Sequence, residues 1–162
     1  MNGSDNFDRP DEIAIIGLSG RFPGAASVEE FWLNVRDGVE SISFFSAEQL
    51  KDEGISAALS GAPNYVNAKA VLQDAEMFDA SFFGFNPREV EILDPQHRLF
   101  LECAWAALEN AGYDSEQYGG LIGVYGGTSM STYLLNIYSN RELMKSVGSF
   151  QVAISNDKDH LT

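Results

Sequence analysis

Two proline-started helices follow one another between Asn86 and Gly112, and this stretch constrains the fold more than any other. In NPREVEILDPQHRLFLECAWAALENAG, Asn86 precedes Pro87 and Asp94 precedes Pro95. Asparagine and aspartate cap helix N-termini by accepting a hydrogen bond from a free backbone N–H. Proline at the first helical position loses nothing, because its missing N–H has no intrahelical partner there and its fixed φ suits the helix. The second helix is long, and Gly112 ends it as a residue that takes a left-handed conformation without penalty.

The 162 residues suffice for one domain with its own core. With 44% hydrophobic and 21% charged residues, the composition is globular. No apolar run reaches the length of a membrane span. The first residues, MNGSDNFDRPDE, are polar and acidic and lack the basic and apolar regions of a signal peptide. Residues 1–11 are expected to form a flexible leader, and 12–162 the folded part. A single cysteine excludes an internal disulfide and, with no signal, fits a cytoplasmic protein. Ten basic residues against 24 acidic ones give a net charge of −14. The basic residues are scattered singly, so no cationic patch exists to bind nucleic acid, and anionic membranes are disfavoured for the same reason.

Along the chain, Glu12–Gly17 (EIAIIG) and Leu121–Tyr125 (LIGVY) predict buried strands, since both are short continuous apolar runs. Ser27 predicts a helix start with Glu30 completing a capping box. Val28, Phe31, Trp32 and Val35 give that helix one apolar face, and Gly38 ends it. Ser46 and Gln49 predict a second short capped helix. Residues 51–63 read as a surface excursion, and 65–72 as extended. The aromatic-rich segment 74–85 calls for burial by a neighbouring layer. Helices are expected over 132–138 and 141–147, the latter capped by Asn140, and 155–162 reads as a helix start. Strands alternating with helices predict a layered α/β fold. Two central strands are too few for a doubly wound sheet, so the domain reads as incomplete.

The chemistry-bearing residues form no competent active site. Cys103 lies on the long helix with Leu99, Ala106 and Ala107, and Glu102 is beside it. Reactive cysteines need an electropositive, partly open setting, so Cys103 reads as a buried structural thiol. The two histidines, His97 and His160, make no metal-ligand set at known spacings. His97 reads as a surface or polar contact residue. Gly17–Gly24 follows a predicted strand, but its spacing is wrong for a dinucleotide turn, and Pro23 removes a donor. Gly123–Ser129 matches neither a phosphate-binding loop nor a nucleophile elbow. Asp74, Glu76 and Asp79 read as caps and loop contacts.

Several segments resemble, in order, the ketosynthase (β-ketoacyl synthase) domains of modular polyketide synthases. They are IAIIGLSGRFPGA from Ile13, SVEEFWLNVRDG from Ser27, FDASFFGF from Phe78, the run Asn86–Tyr113, IGVYGGT from Ile122 and NDKDHLT from Asn156. Asp94, Pro95, Gln96 and Arg98 form the structural signature. The resemblance implies a thiolase fold with two similar βα halves in a five-layered α-β-α-β-α domain, of which this chain resembles the front part of the first half. It implies decarboxylative Claisen condensation of acyl and malonyl-type thioesters on acyl carrier protein. No cofactor is bound directly, and phosphopantetheine is carried by the partner acyl carrier protein. The family's nucleophilic cysteine lies in a Thr-Ala-Cys-Ser-type elbow expected after Thr162, and its histidines lie later still. No catalytic role therefore transfers to Cys103. The implied partners are the remainder of the ketosynthase domain and, once complete, a second copy as a homodimer. Met130, Tyr133, Leu134 and Leu135 are expected to line an acyl tunnel or contact that copy. The alternative is a stand-alone, non-catalytic docking module derived from such a domain.

Overall fold

A computed structural model describes residues 13–161. The leader expected over residues 1–11 lies outside them. Helix α1 (Val28–Asp37) starts where Ser27 accepts from the Glu30 N–H. The Glu30 carboxylate reaches the Ala26 N–H at 2.8 Å, one residue before the cap. Gly38 ends α1 at φ +67°, the left-handed region that its lack of a Cβ permits. A two-stranded antiparallel ribbon follows, with β1 (Ile42–Phe44) opposite β2 (Ala68–Ala70) and Ile42 facing Ala70. Between them lie α2 (Ala47–Asp52) and α3 (Ala57–Ser60). The capping box of Ser46 with Gln49 forms as the sequence predicts.

The two proline-started helices are α4 (Pro87–Ile92) and α5 (Pro95–Ala111). Asn86 accepts from the Arg88 and Glu89 N–H groups, and the Glu89 carboxylate accepts in return from the Asn86 N–H. Asp94 caps α5 through the Gln96 N–H at 2.8 Å, and Gly112 closes it at φ +73°. Three short helices complete the chain: α6 (Tyr133–Ser139), α7 (Arg141–Val147) and α8 (Ser149–Ile154), the last not foreseen in the sequence. Asn140 caps α7 through the Leu143 N–H. The helix start expected over 155–162 is a single 3-10 turn, Lys158–His160, capped by Asp157.

The core lies where α4, α6 and α8 meet. Ile92, Ile137 and Val152 are buried together, and Tyr133, Leu134, Leu143, Met144 and Val147 pack against them. Helical spacing explains this placement, because each short helix contributes the apolar residue that faces inward.

Two expectations are corrected. Neither 13–17 nor 121–125 forms a strand; both are irregular and strongly exposed, with Ile13 at 95% and Leu121 at 103%. Among the described residues, no backbone-to-backbone hydrogen bond joins 13–21 or 119–131 to anything. An apolar run becomes a buried strand only when neighbouring strands pair with it, and no described segment does so. Both stretches still lie against α5. A Cβ on Gly17 would meet the Ala107 carbonyl at 2.5 Å, and one on Gly126 would meet Phe100 and Leu161. The α1 stripe is likewise uncovered, although Phe31 stacks on Phe22 with ring centroids 4.1 Å apart. The aromatic segment is covered in part: Phe78 packs with Phe83 and Phe85, and the edge of Phe82 meets Trp105, but Met77 and Phe82 stay exposed.

Candidate functional site

The first turns of α5 organise everything around them. Asp94 is buried, caps the helix, and its N–H donates to the Ser155 carbonyl at 3.0 Å. Gln96 grips the glycine-rich loop across 33 residues. Its Oε1 accepts from the Ser129 N–H and Oγ, both at 2.9 Å, and its Nε2 donates to the Ser129 carbonyl. Ser131 continues the path, accepting the Leu134 N–H that begins α6 and donating to Asn156 Oδ1. Asn156 is buried, and its Nδ2 donates to the carbonyls of Ile92 and Val152, both at 2.8 Å. Deeper along α5, Glu102 pairs with Arg21 at 3.0 Å, and Arg21 also donates to the carbonyls of Gln73 and Asp74.

The four tunnel or interface candidates do not stay together. Met130 and Leu134 line a cavity of about 600 Å³, with Ser129, Ser131, Tyr138 and Asn156 on its wall. Tyr133 turns the other way: its hydroxyl donates to the Glu91 carbonyl at 2.6 Å and its ring faces the Arg98 guanidinium. Leu135 points to solvent, as does Met130 at 86% exposure. In the signature, Pro95 supplies the first helical position and Arg98 is buried.

Two readings of single residues change. Cys103 is half-buried, because α5 lies beneath irregular segments and not inside a closed layer. His97 is buried, since the segment 149–161 folds back over the start of α5. It shares a cavity of about 440 Å³ with Glu89, Leu93, Leu101 and His160. Burial holds its pKa below the ordinary histidine value, Asp94 and Asp157 oppose that, and His160 adds to it. A folded pKa lowered in this way favours the neutral ring, so the unfolded chain binds the extra proton. Stability is therefore full above about pH 6.5, the unfolded value, and falls as pH drops below it. Urea midpoints measured from pH 7 to 5 are expected to decline, and His97→Gln should flatten that part of the decline. A variant curve parallel to the wild type would assign the pH dependence to other groups.

Among the described residues no cluster of three or more metal-ligating side chains occurs, and no helix is long and apolar enough to cross a membrane. Sequence reasoning did not find Asn156 or the Ser129 partner of Gln96. Neither leaves a local signal, because each acts on backbone groups brought close only by folding.

The model of the β-ketoacyl synthase N-terminal domain matches residues 10–158. This chain belongs to the β-ketoacyl synthase family. It is 47% identical over 156 residues to a component of the phenolphthiocerol/phthiocerol polyketide synthase of Mycobacterium tuberculosis, covering 92% of this chain and 10% of that protein. It is 39% identical over 123 residues to polyketide synthase PksN of Bacillus subtilis, covering 76% of this chain and 2% of that one. Among solved structures, ketosynthase twelve of the bacillaene polyketide synthase of Bacillus amyloliquefaciens aligns over 59% of this chain and 17% of that one. Its TM-score is 0.54 at 42% identity. The module 1 ketosynthase of the bacillaene synthase of the same organism aligns over 62% of this chain and 17% of that one, with a TM-score of 0.53 at 49% identity. The chain thus spans about a tenth or less of the curated relatives it matches. Its α/β architecture is the front part of a thiolase-like ketosynthase domain of the modular polyketide synthase type.

Proposed function

We propose that this chain supplies the N-terminal scaffold of a ketosynthase that joins acyl and malonyl-type thioesters by decarboxylative Claisen condensation. The observation that carries this reading is the family match over residues 10–158, which takes in the whole α5 signature. In that chemistry an acyl group passes from a carrier-protein thiol to a cysteine thiolate, releasing the carrier thiol. The extender thioester then loses carbon dioxide, and its carbanion attacks the acyl-enzyme carbonyl. A carbon–carbon bond forms and the cysteine thiolate leaves. The developing enolate requires oriented donors. Cys103 is unsuited to that role: it lies in the middle of α5, away from the helix N-terminus, with a carboxylate and no cation as its neighbour at Glu102. In this reading the nucleophile and its histidines are supplied by the remainder of the ketosynthase domain, in line with the family pattern.

Acyl carrier protein bearing phosphopantetheine is the substrate-carrying partner in this reading, the compartment is the cytoplasm, and the complete domain pairs with a second copy. Condensation product is expected from the complete ketosynthase-bearing polypeptide and none from Met1–Thr162 alone. Product from Met1–Thr162 alone would overturn the scaffold assignment, and a complete polypeptide without product would favour a docking module. Dimerisation has its own test. Tyr133 and Leu134 pack on the core, so aspartate there also damages the fold. Met130 and Leu135 are exposed and separate the two effects. Met130→Asp with Leu135→Asp is expected to shift the complete domain from dimer towards monomer by sedimentation, with its melting temperature retained at high concentration. An unchanged sedimentation profile would remove these two residues from the interface.

A further inference from the structure

Arg98 is a buried cation, 8% exposed, in the first turn and a half of α5. Its Nε has no hydrogen-bond partner, and it makes no ion pair among the described residues. Helical geometry offers two carboxylates, Asp94 four residues before it and Glu102 four residues after it. Both are committed elsewhere. Asp94 Oδ1 accepts the Gln96 N–H at 2.8 Å, its Oδ2 faces Gln96 Nε2 at 3.4 Å, and Glu102 pairs with Arg21 at 3.0 Å. The contact that remains is the Tyr133 ring, 5.9 Å from the guanidinium carbon to its centroid. A cation near a helix N-terminus is also opposed by the helix dipole. Buried charges are ordinarily paired, because the desolvation cost is otherwise uncompensated.

We propose that Arg98 is the receptor for a carboxylate side chain, an aspartate or glutamate of the polypeptide that completes the ketosynthase domain. This rests on the reading of the chain as a ketosynthase scaffold. Guanidinium presents a planar fork of donors that matches a carboxylate. Tyr133 lies on one side of that fork and is itself held by the Glu91 carbonyl. The arriving carboxylate couples the start of α5 to the rest of the domain.

The sign of one substitution tests this in two settings. In Met1–Thr162, Arg98→Met replaces a largely buried cation whose Nε lacks a partner with an apolar side chain of similar length, so its melting temperature is expected to rise by about 2–4 °C. In the complete polypeptide the same change removes one partner of an ion pair, and the melting temperature is expected to fall. A rise or no change in both settings would overturn the proposal. Acetate, compared with chloride at equal ionic strength, probes the receptor directly. It should raise the melting temperature of wild-type Met1–Thr162 by about 2 °C or more and leave Arg98→Met unmoved. Equal acetate effects on both proteins would overturn the receptor. An acetate effect specific to wild type, without a loss in the complete polypeptide, would overturn the side-chain occupant in favour of a small anion from solution. Failure of the complete wild-type polypeptide to make condensation product would count against the ketosynthase reading alone, and the thermal comparisons would still decide Arg98.

Discussion

Ile92→Ala is expected to lower the stability of this chain by about 2–5 kcal/mol, the usual range for truncating a buried isoleucine. Ile92 is fully buried, and so is Val152 beside it. Ile92 ends α4, Ile137 lies within α6, and Val152 lies within α8, so a cavity at Ile92 loosens three helices at once. Small domains have about 5–15 kcal/mol in hand, which makes this a large share. Leu59→Ala, at a half-exposed position of α3, is the control and should change stability by less than about 0.5 kcal/mol. Urea unfolding followed by far-UV circular dichroism reads both. Equal losses from the two substitutions would show that the Ile92 cluster is not the core. The size of that core also matters for function. The described residues bury few large apolar side chains, while Ile13, Ile15, Leu121, Tyr125 and Phe150 remain exposed. Exposed apolar surface on this scale marks contact surfaces. A scaffold whose apolar ribbons are open and whose small core is closed suits assembly with further polypeptide.

The sequence was legible where structure is decided within a few residues. Ser46, Asn86, Asp94 and Asn140 cap the helices that follow them, and Gly38 and Gly112 end theirs in the left-handed conformation. These are contacts between side chains and adjacent backbone, so composition and spacing suffice. The strands were not legible in the same way. IAIIG and LIGVY carry the apolar pattern of buried strands, but that pattern states a need for neighbours without naming them. The ribbon that does form, Ile42–Phe44 against Ala68–Ala70, carries no such pattern. Its second strand falls within 65–72, the stretch expected to be extended, and α2 and α3 lie in the connection that joins the two strands. The candidate site divides along the same line. Asp94 and Pro95 could be placed from local chemistry, and Gln96 could be named only as part of the signature. That Gln96 holds Ser129, that Arg98 faces Tyr133, and that His97 is buried all follow from long-range folding. Met130, Tyr133, Leu134 and Leu135 are contiguous or nearly so in sequence, yet Met130 and Leu134 line one cavity, Tyr133 faces the α5 cation, and Leu135 points to solvent. Tyr133, Leu134 and Leu135 are successive positions of α6, where side chains point about 100° apart, so proximity in sequence does not place the three on one surface.

Asn156→Asp should cost this chain about 2–4 kcal/mol although it changes no volume, because a buried donor becomes an acceptor. The Asn156 amide donates from Nδ2 to the carbonyls of Ile92 and Val152, both at 2.8 Å, and so ties the C-terminal end of α4 to α8. A carboxylate in that place turns an oxygen towards two carbonyl oxygens, in a site that is buried and has no cation among its hydrogen-bond partners. The three outcomes available to the substituted side chain are all unfavourable. It can stay ionised against two carbonyls, it can bind a proton at a raised pKa, or the segment 149–161 can leave α4. The second outcome gives the prediction its signature. The loss should be greatest near neutral pH and smaller at acid pH, where protonation restores one donor. Asn156→Ala should cost less, about 1–3 kcal/mol, since it leaves the two carbonyls without this donor but adds no charge. Urea midpoints at pH 7 and pH 5 for both variants decide the matter. Asn156→Asp less damaging than Asn156→Ala at pH 7, or insensitive to pH, would show that the amide hydrogen bonds do not hold α8 to α4. The Ser131 hydroxyl, which donates to Asn156 Oδ1, would then lose its anchor as the start of the path from α8 to Ser129 and Gln96.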